Sequence, residues 1–104
     1  MAVDPEIITR SRRYADEVKR HFPVKKAVLF GSHAKGTATK DSDVDICFFL
    51  DGFDGAEYLA IMRKLMRLAY EYEEVFESVV YAIEDIHSSS RFVKEIIRTG
   101  VDVL

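Results

Sequence analysis

The spacing of apolar residues along the chain predicts alternating helices and strands. Apolar positions three to four residues apart predict amphipathic helices, and short runs rich in β-branched and aromatic residues predict strands. The predicted elements, in chain order, are a helix over 5–22, strands over 25–30 and 44–50, a long helix after residue 54, a strand over 75–81 and a helix ending at residue 98. Residues 31–42 form a loop, with a helical turn over 32–35. This order favours one α/β (α+β) domain, residues 1–104, with a small mixed sheet and helices mainly on one face.

Several helix ends carry sequence signals. Asp4 before Pro5 is typical of an N-terminal cap followed by proline at the first helical position. Asp54 and Glu57 have the spacing of a capping box, which predicts that the long helix begins there. The apolar stripe of this helix is predicted to face the core, with its methionines as packing residues. The stripe comprises Leu59, Met62, Leu65, Met66, Ala69 and Tyr72, and it is widened by Ile61 and Leu68.

Composition and charge restrict the class of protein. The chain has 104 residues and a formal net charge of -3. Proteins that bind nucleic acid without sequence preference usually carry excess cationic charge, so we expect no direct nucleic-acid binding. The sequence contains no apolar run as long as a membrane span and no apolar signal core near its start. Cys47 is the single cysteine and cannot form an internal disulfide, so we expect a reducing, cytoplasmic location.

Candidate chemistry is concentrated between the first two predicted strands. Asp43 and Asp45 open the second strand, and they share a face because side chains alternate along a strand; their Cα atoms are roughly 6.5–7 Å apart. The pair can converge on one hard cation or bracket two ions about 3.5–4 Å apart. The backbone N–H groups of the Gly31-Ser32 turn, directly after the first strand, can hold a phosphate-sized anion.

A third carboxylate is predicted to join this pair. Glu77 lies near the start of the third predicted strand, as Asp43 and Asp45 lie at the start of the second. If the two strands are neighbours, three like charges crowd together, and a divalent cation resolves their repulsion. Oxygen ligands favour Mg²⁺ or Mn²⁺. The Asp-x-Asp pair alone is weak evidence, since such residues are also common in turns and caps; its combination with the Gly-Ser turn is more specific.

Polar residues of the loop are candidate nucleotide ligands. Lys35 and Lys40 can contact a triphosphate, although each is equally compatible with a solvated loop position. Ser42 completes the predicted nucleotide-binding set. His33 is compatible both with a phosphate or ribose contact and with a plain turn. The loop is neither a Walker loop nor a dinucleotide-binding glycine motif.

Residues 31–46, which read GSHAKGTATKDSDVDI, resemble the nucleotidyltransferase superfamily of DNA polymerase beta, and most closely its minimal members, the MNT proteins. The resemblance implies the nucleotidyltransferase fold. It also implies that Gly31 and Ser32 orient the phosphates of a nucleotide and that Asp43 and Asp45 bind metal.

Two positions depart from the family pattern. The third acid is usually aspartate and is matched here by Glu77, and the frequent arginine of the turn is matched by Lys35. Both residues retain the charge, so the resemblance still implies an active site.

The resemblance further implies a reaction, in which a nucleoside monophosphate, most often AMP from ATP, is transferred to a hydroxyl and pyrophosphate is released. Asp43 and Asp45 would hold two Mg²⁺ ions, one binding the triphosphate and the other lowering the pKa of the acceptor hydroxyl. Glu77 would complete the second ion site and help to take the proton. MNT proteins resemble the antitoxin half of toxin–antitoxin pairs, so the implied acceptor is a tyrosine on an all-helical HEPN ribonuclease.

Two other functions stay open at this stage. The same fold can neutralise its partner by contact alone, as a non-catalytic antitoxin module. A transferase acting on a small molecule such as an aminoglycoside ranks third, because the sequence indicates no acceptor pocket. Phe49, Val79 and Tyr81 share the face of the acids, which predicts that a partner or a second copy of the chain covers that face.

Overall fold

A four-stranded mixed sheet forms the centre of the fold in the computed structural model, which describes residues 3–104. The elements, in chain order, are α1 (Pro5–His21), β1 (Val24–Phe30), α2 (Ser32–Lys35), β2 (Val44–Leu50), α3 (Tyr58–Ala69), β3 (Phe76–Ala82), a 3₁₀ helix (Ile83–His87), α4 (Arg91–Thr99) and β4 (Val101–Asp102). The predicted mixed sheet and α+β class are confirmed. The two-residue strand β4 was not predicted, because so short an element has no periodicity of its own.

The strand order is β3-β2-β1-β4. β1 is antiparallel to both β2 and β4, whereas β2 and β3 are parallel and are connected through α3. A parallel pair requires such a crossover, which is the connection that the long predicted helix allowed. The register places Asp45 beside Phe30 on one side and beside Glu77 on the other.

Apolar side chains pack on both faces of the sheet. On one face α1 and α3 contribute Tyr14, Val18 and Leu65 to the larger cluster. On the other face α4 contributes Val93 and Ile96 to a smaller cluster. The two longest helices therefore share one face, and α4 and the 3₁₀ helix lie on the face that carries Asp45.

Two predictions about α3 were wrong. Leu59 and Met66 are 69% and 72% exposed, and the buried positions are Ile61 and Leu65. The rest of the predicted stripe is confirmed: Leu65 is buried, and the other members, Met62, Ala69 and Tyr72, pack against the same core cluster. Ile61, predicted only to widen the stripe, is buried in place of Leu59. The predicted capping box is also absent from the described residues: α3 begins at Tyr58 without a side-chain cap, and the Asp54 carboxylate accepts a hydrogen bond from the N–H of Ala56.

The apolar face beside the acids is covered by the chain itself. Phe49 is fully buried, and Val79 and Tyr81 pack in the same cluster as the core residues of α4. The prediction that another molecule must cover these three residues was therefore wrong, because the last predicted helix folds back onto this face. None of the helices among residues 3–104 has the length and apolar character needed to cross a membrane.

Candidate active site

Two carboxyl groups meet near the start of the neighbouring strands β2 and β3, at one edge of the sheet. Asp45 of β2 and Glu77 of β3 are register partners on parallel strands, so their side chains leave the same face. Burial, a hydrogen bond with Glu77 and the charges of Glu77 and Asp43 together raise the pKa of Asp45 to about 6. The nearby charge of His33 acts in the opposite direction. The two carboxyls are thus arranged to share a proton or a cation.

Asp43 stands next to this pair. It lies just before β2, is half-buried, and is close enough for its charge to raise the pKa of Asp45. Over the described range 3–104, no three His, Cys, Asp or Glu side chains converge as a ready-made metal cage. Binding of one cation by all three acids would therefore require rotation of at least one carboxylate.

The turn after β1 is in direct contact with Asp45. Gly31 has φ +77°, and a Cβ added at this position would collide with Oδ2 of Asp45. Only glycine combines this backbone conformation with such close approach of a carboxylate. The backbone N–H of Lys35 donates to the carbonyl of Gly31 at 3.1 Å and closes the α2 turn. Gly31 and Ser32, predicted as phosphate ligands, thus lie beside the acids.

The loop between α2 and β2 is held together by its own hydroxyl groups. The Ser42 hydroxyl accepts a hydrogen bond from the Thr39 N–H at 2.9 Å. The ring of His33 lies 3.4 Å from the Ser42 carbonyl. Ser42, predicted as a nucleotide ligand, has its hydroxyl directed into the loop in this arrangement. His33, for which the sequence left two readings open, lies at the site.

The two predicted lysines lie in different surroundings. Lys40 lines a cleft beside Asp43. Lys35 extends towards α4, where its Nζ lies 3.9 Å from Glu95 Oε1. Both side chains are exposed, so each is free to reorient towards an anion. The structure therefore does not bring the two lysines together on one side of the acids.

A cleft of about 760 Å³ opens at Asp43. It lies between the first turns of α1, the loop before β2 and the segment before β3. Arg10 of α1 spans this space, with its Nη1 2.8 Å from Glu74 Oε2. Neither the cleft nor this ion pair could be predicted from local sequence patterns, because Arg10 and Glu74 are separated by 64 positions. The cleft was thus not anticipated in the sequence analysis, which indicated no acceptor pocket.

The cleft is rich in acidic residues. Among its described lining residues, five are carboxylates and two are permanent cations: Asp4, Asp41, Asp43, Glu73 and Glu74, against Arg10 and Lys40. A triphosphate would therefore meet net repulsion inside the cleft.

Comparison with known proteins shows that the turn and the acids lie within a segment that matches a known protein family. A family model described as nucleotidyltransferase domain matches residues 11–100, a span that contains the Gly31 turn and all three acids. The chain belongs to this nucleotidyltransferase family. Nucleotidyl transfer in general is the reaction for which this family is named.

Solved structures of other proteins share the nucleotidyltransferase fold. A candidate nucleotidyltransferase from Sulfolobus solfataricus superposes with a TM-score of 0.64 at 22% identity, covering 93% of this chain and 82% of that chain. A toxin–antitoxin structure with AMP-PNP gives a TM-score of 0.59 at 20% identity, covering 89% and 72% of the respective chains. A mutant of the toxin–antitoxin pair MntA-HpeT gives 0.57 at 18% identity, with the same coverage. At these identities the similarity establishes the fold.

A curated relative matches over a shorter segment. Human terminal uridylyltransferase 7 is 38% identical over 52 residues, which are 50% of this nucleotidyltransferase chain and 4% of that protein. The chain thus spans a small fraction of the length of this relative.

Proposed function

We propose that the chain is a Mg²⁺-dependent nucleotidyltransferase that moves AMP from ATP to a hydroxyl group, the acceptor being a tyrosine of an all-helical HEPN-type partner toxin. The observation that carries the proposal is the alignment of Asp45 with Glu77 on parallel strands, with the Gly31 turn in contact with the same Asp45 carboxylate. A phosphate-binding turn and a pair of acids are thereby held within one small region by the register of the sheet.

The acids fit a divalent cation. Asp43, Asp45 and Glu77 offer carboxylate oxygens, which Mg²⁺ and Mn²⁺ prefer. The raised pKa of Asp45 indicates that positive charge at this point would be stabilising. When bound there, a pair of such ions would neutralise the triphosphate and lower the pKa of the acceptor hydroxyl. In the proposal Glu77, which is exposed, accepts the proton of that hydroxyl.

The distribution of charge around the acids supports separate positions for the triphosphate and for the acceptor: the triphosphate at the Gly31 turn and the acceptor at the acidic cleft. The turn after β1 contributes three residues that do not line the acidic cleft: Gly31, Ser32 and Lys35. We assign the β- and γ-phosphates to these residues. Lys40 lines the cleft beside Asp43, and we assign it as a further contact of the same phosphates. Repulsion by the carboxylates of the cleft would keep the triphosphate at the turn.

The similarity to toxin–antitoxin structures supports both the donor and the partner. One of those structures contains AMP-PNP, an ATP analogue, and another carries the name MntA-HpeT. We propose by analogy that this chain also uses ATP as the donor and a toxin as the acceptor.

The test uses the chain, Mg²⁺, a purified HEPN-type partner and ATP labelled at either the α- or the γ-phosphate. The proposal requires label on the partner from α-labelled ATP and none from γ-labelled ATP, because the transferred group is AMP. Replacing the acceptor tyrosine of the partner by phenylalanine should abolish labelling. Label from the γ-position, or tight binding without any label, would overturn it.

A non-catalytic antitoxin module is the second candidate. The observation that favours it is that no three His, Cys, Asp or Glu side chains of residues 3–104 converge as a metal cage. In that case Asp45→Asn would leave neutralisation of the partner unchanged.

Transfer to a small molecule is the third candidate. The acidic cleft of about 760 Å³ favours it, since a cationic acceptor of the aminoglycoside type would be attracted there. Labelling of an aminoglycoside, but not of a protein partner, would select this function.

A further inference from the structure

The outer side of α3 exposes a row of apolar side chains. Leu59, Met66 and Tyr70 are 69%, 72% and 88% exposed. They are seven and four positions apart, so they lie along one side of the helix. Arg63 and Arg67 occupy the same side between them. We refer to these five residues as the α3 outer face.

The α3 outer face is a short, straight strip along α3 and its C-cap residue Tyr70. Arg63, Met66, Arg67 and Tyr70 line a shallow depression of about 370 Å³. From Leu59 to Tyr70 the face extends roughly 16 Å along the helix axis. A narrow apolar row of this length fits a second helix laid along it, with side chains in i, i+3, i+4 and i+7 contacts.

The charge of the α3 outer face selects between occupants. It contains two arginines and no carboxylate, and neither arginine forms an ion pair with another residue in the described part of the chain. In a symmetric dimer the same face would meet itself, bringing Arg63 and Arg67 towards their own copies. That repulsion disfavours a second copy of the chain. A helix with acidic residues beside its apolar stripe would complement both arginines.

We propose that the α3 outer face docks an amphipathic helix of another protein, with apolar side chains against Leu59, Met66 and Tyr70 and carboxylates towards the two arginines. Leu59 and Met66, which the sequence analysis assigned to the core, would then be buried in a complex with another protein instead. This proposal does not depend on the reaction proposed above.

The location of the α3 outer face has a functional consequence. Ile61 and Leu65 of α3 pack on the sheet face opposite to Asp45 and its cluster. A protein docked on α3 would therefore leave Asp45 and Glu77 accessible. The chain could hold a partner and use its acids at the same time.

The experiment uses two synthetic peptides of roughly 18 residues, long enough to form a helix. Both carry a leucine stripe; one has Glu on the flanking positions and the other has Lys. Isothermal titration should give at least about tenfold tighter binding of the Glu peptide to the intact chain. Arg63→Glu with Arg67→Glu should reverse the preference, whereas Arg12→Glu with Arg13→Glu, on the exposed surface of α1, should leave it unchanged.

Three results would overturn the proposal. The first is equal binding of both peptides, and the second is a reversed preference in the α1 control variant as well as in the α3 variant. The third is a dimer in sedimentation experiments that Met66→Glu dissociates. The last result would assign the face to a second copy. All substituted side chains are exposed, and circular dichroism melting would verify that each variant is folded. Asp45→Asn should retain peptide binding, so failure of nucleotidyl transfer and failure of docking are measured separately.

Discussion

Asp45 and Glu77 lie side by side on the parallel strands β2 and β3, and Glu77 is close enough to help raise the pKa of Asp45. Two carboxylates at this separation repel each other when both are ionised, unless positive charge compensates them. In the isolated chain a shared proton can do so, and in a working enzyme of this family we expect a divalent cation to take its place. Proton and metal should therefore compete for the same oxygen atoms.

The first prediction concerns removal of one acid. Asp45→Asn keeps the size of the side chain but removes its charge, and we expect nucleotidyl transfer to fall by about 100-fold or more because the metal loses a ligand. Asp41→Asn is the matched control. Asp41 is exposed and belongs to the same loop, two residues before Asp43, but is not part of the acid group. Initial rates with α-labelled ATP measure both variants; equal losses would argue against a specific role for Asp45.

The second prediction concerns pH in the absence of metal. The folded state raises the pKa of Asp45 from 3.8 to about 6. Below about pH 4 both the folded and the unfolded chain are protonated at this residue, and its effect on stability is at its most favourable. Between about pH 4 and pH 6 the unfolded chain has released a proton that the folded chain retains. The contribution of Asp45 to the free energy of unfolding therefore declines as pH rises through this window.

Thermal unfolding of the wild type and Asp45→Asn at about pH 4 and pH 7 tests this sign. The stability of the wild type relative to the variant should decrease towards pH 7. Added Mg²⁺ should raise the melting temperature of the wild type more at pH 7 than at pH 4, since protons compete with the ion. A relative stability that increases with pH would contradict the assigned pKa shift.

The third prediction separates backbone strain from the active site. Gly31→Ala places a methyl group against Asp45 Oδ2 at a positive φ, whereas Gly52→Ala, at φ +70°, meets no atom within 4 Å. Gly52→Ala should lose about 1 kcal/mol of stability because alanine disfavours positive φ. Gly31→Ala should lose more, because its backbone conformation (φ 77°, ψ -151°) is essentially restricted to glycine and its methyl group also meets the Asp45 carboxylate. Only Gly31→Ala should displace Asp45 and weaken binding of Mg²⁺ and ATP, as measured by calorimetry. Equal binding by the two variants would show that contact between Gly31 and Asp45 is unimportant.

Much of the fold, and the proximity of Asp45 to Glu77, could be predicted because they depend on sequence patterns within short segments. The bounds of β2 and of the α2 turn were predicted as observed, from an apolar run and a glycine-flanked polar segment. The meeting of Asp45 with Glu77 followed once the strands that begin near them were assumed to be neighbours. The crossover through α3 made that assumption physically reasonable.

The remaining features depend on contacts between distant segments. The sequence pattern of α3 contains two overlapping apolar rows, and only packing decided that Ile61, rather than Leu59, faces the core. The Arg10–Glu74 pair and the cleft that it spans join segments that are 64 positions apart in the sequence. Each partner by itself is typical of a solvated helix or loop, so no local pattern predicted the cleft.

The last prediction concerns two polar side chains of α1 in the core. The Tyr14 hydroxyl lies 2.8 Å from Ser78 Oγ and donates towards the Leu65 carbonyl at 3.3 Å, and its ring stacks on Phe76. Tyr14→Phe retains the ring and removes these hydrogen bonds, so unfolding should become easier by about 1 kcal/mol. Ser11 is fully buried, and its hydroxyl has no hydrogen-bond partner among residues 3–104.

Ser11→Ala should therefore be neutral or stabilising by up to about 1 kcal/mol, because it removes an unsatisfied polar group from the core and alanine favours a helix. Urea denaturation followed by circular dichroism measures the free energies of both α1 variants, and an unchanged m-value would show that the extent of unfolding is the same. The two substitutions are matched, since each deletes one buried hydroxyl from the same helix. If Ser11→Ala were as destabilising as Tyr14→Phe, the Ser11 hydroxyl would have to bind a group such as an internal water. The hydrogen bonds of Tyr14 to Leu65 of α3 and Ser78 of β3 would then not distinguish it from Ser11.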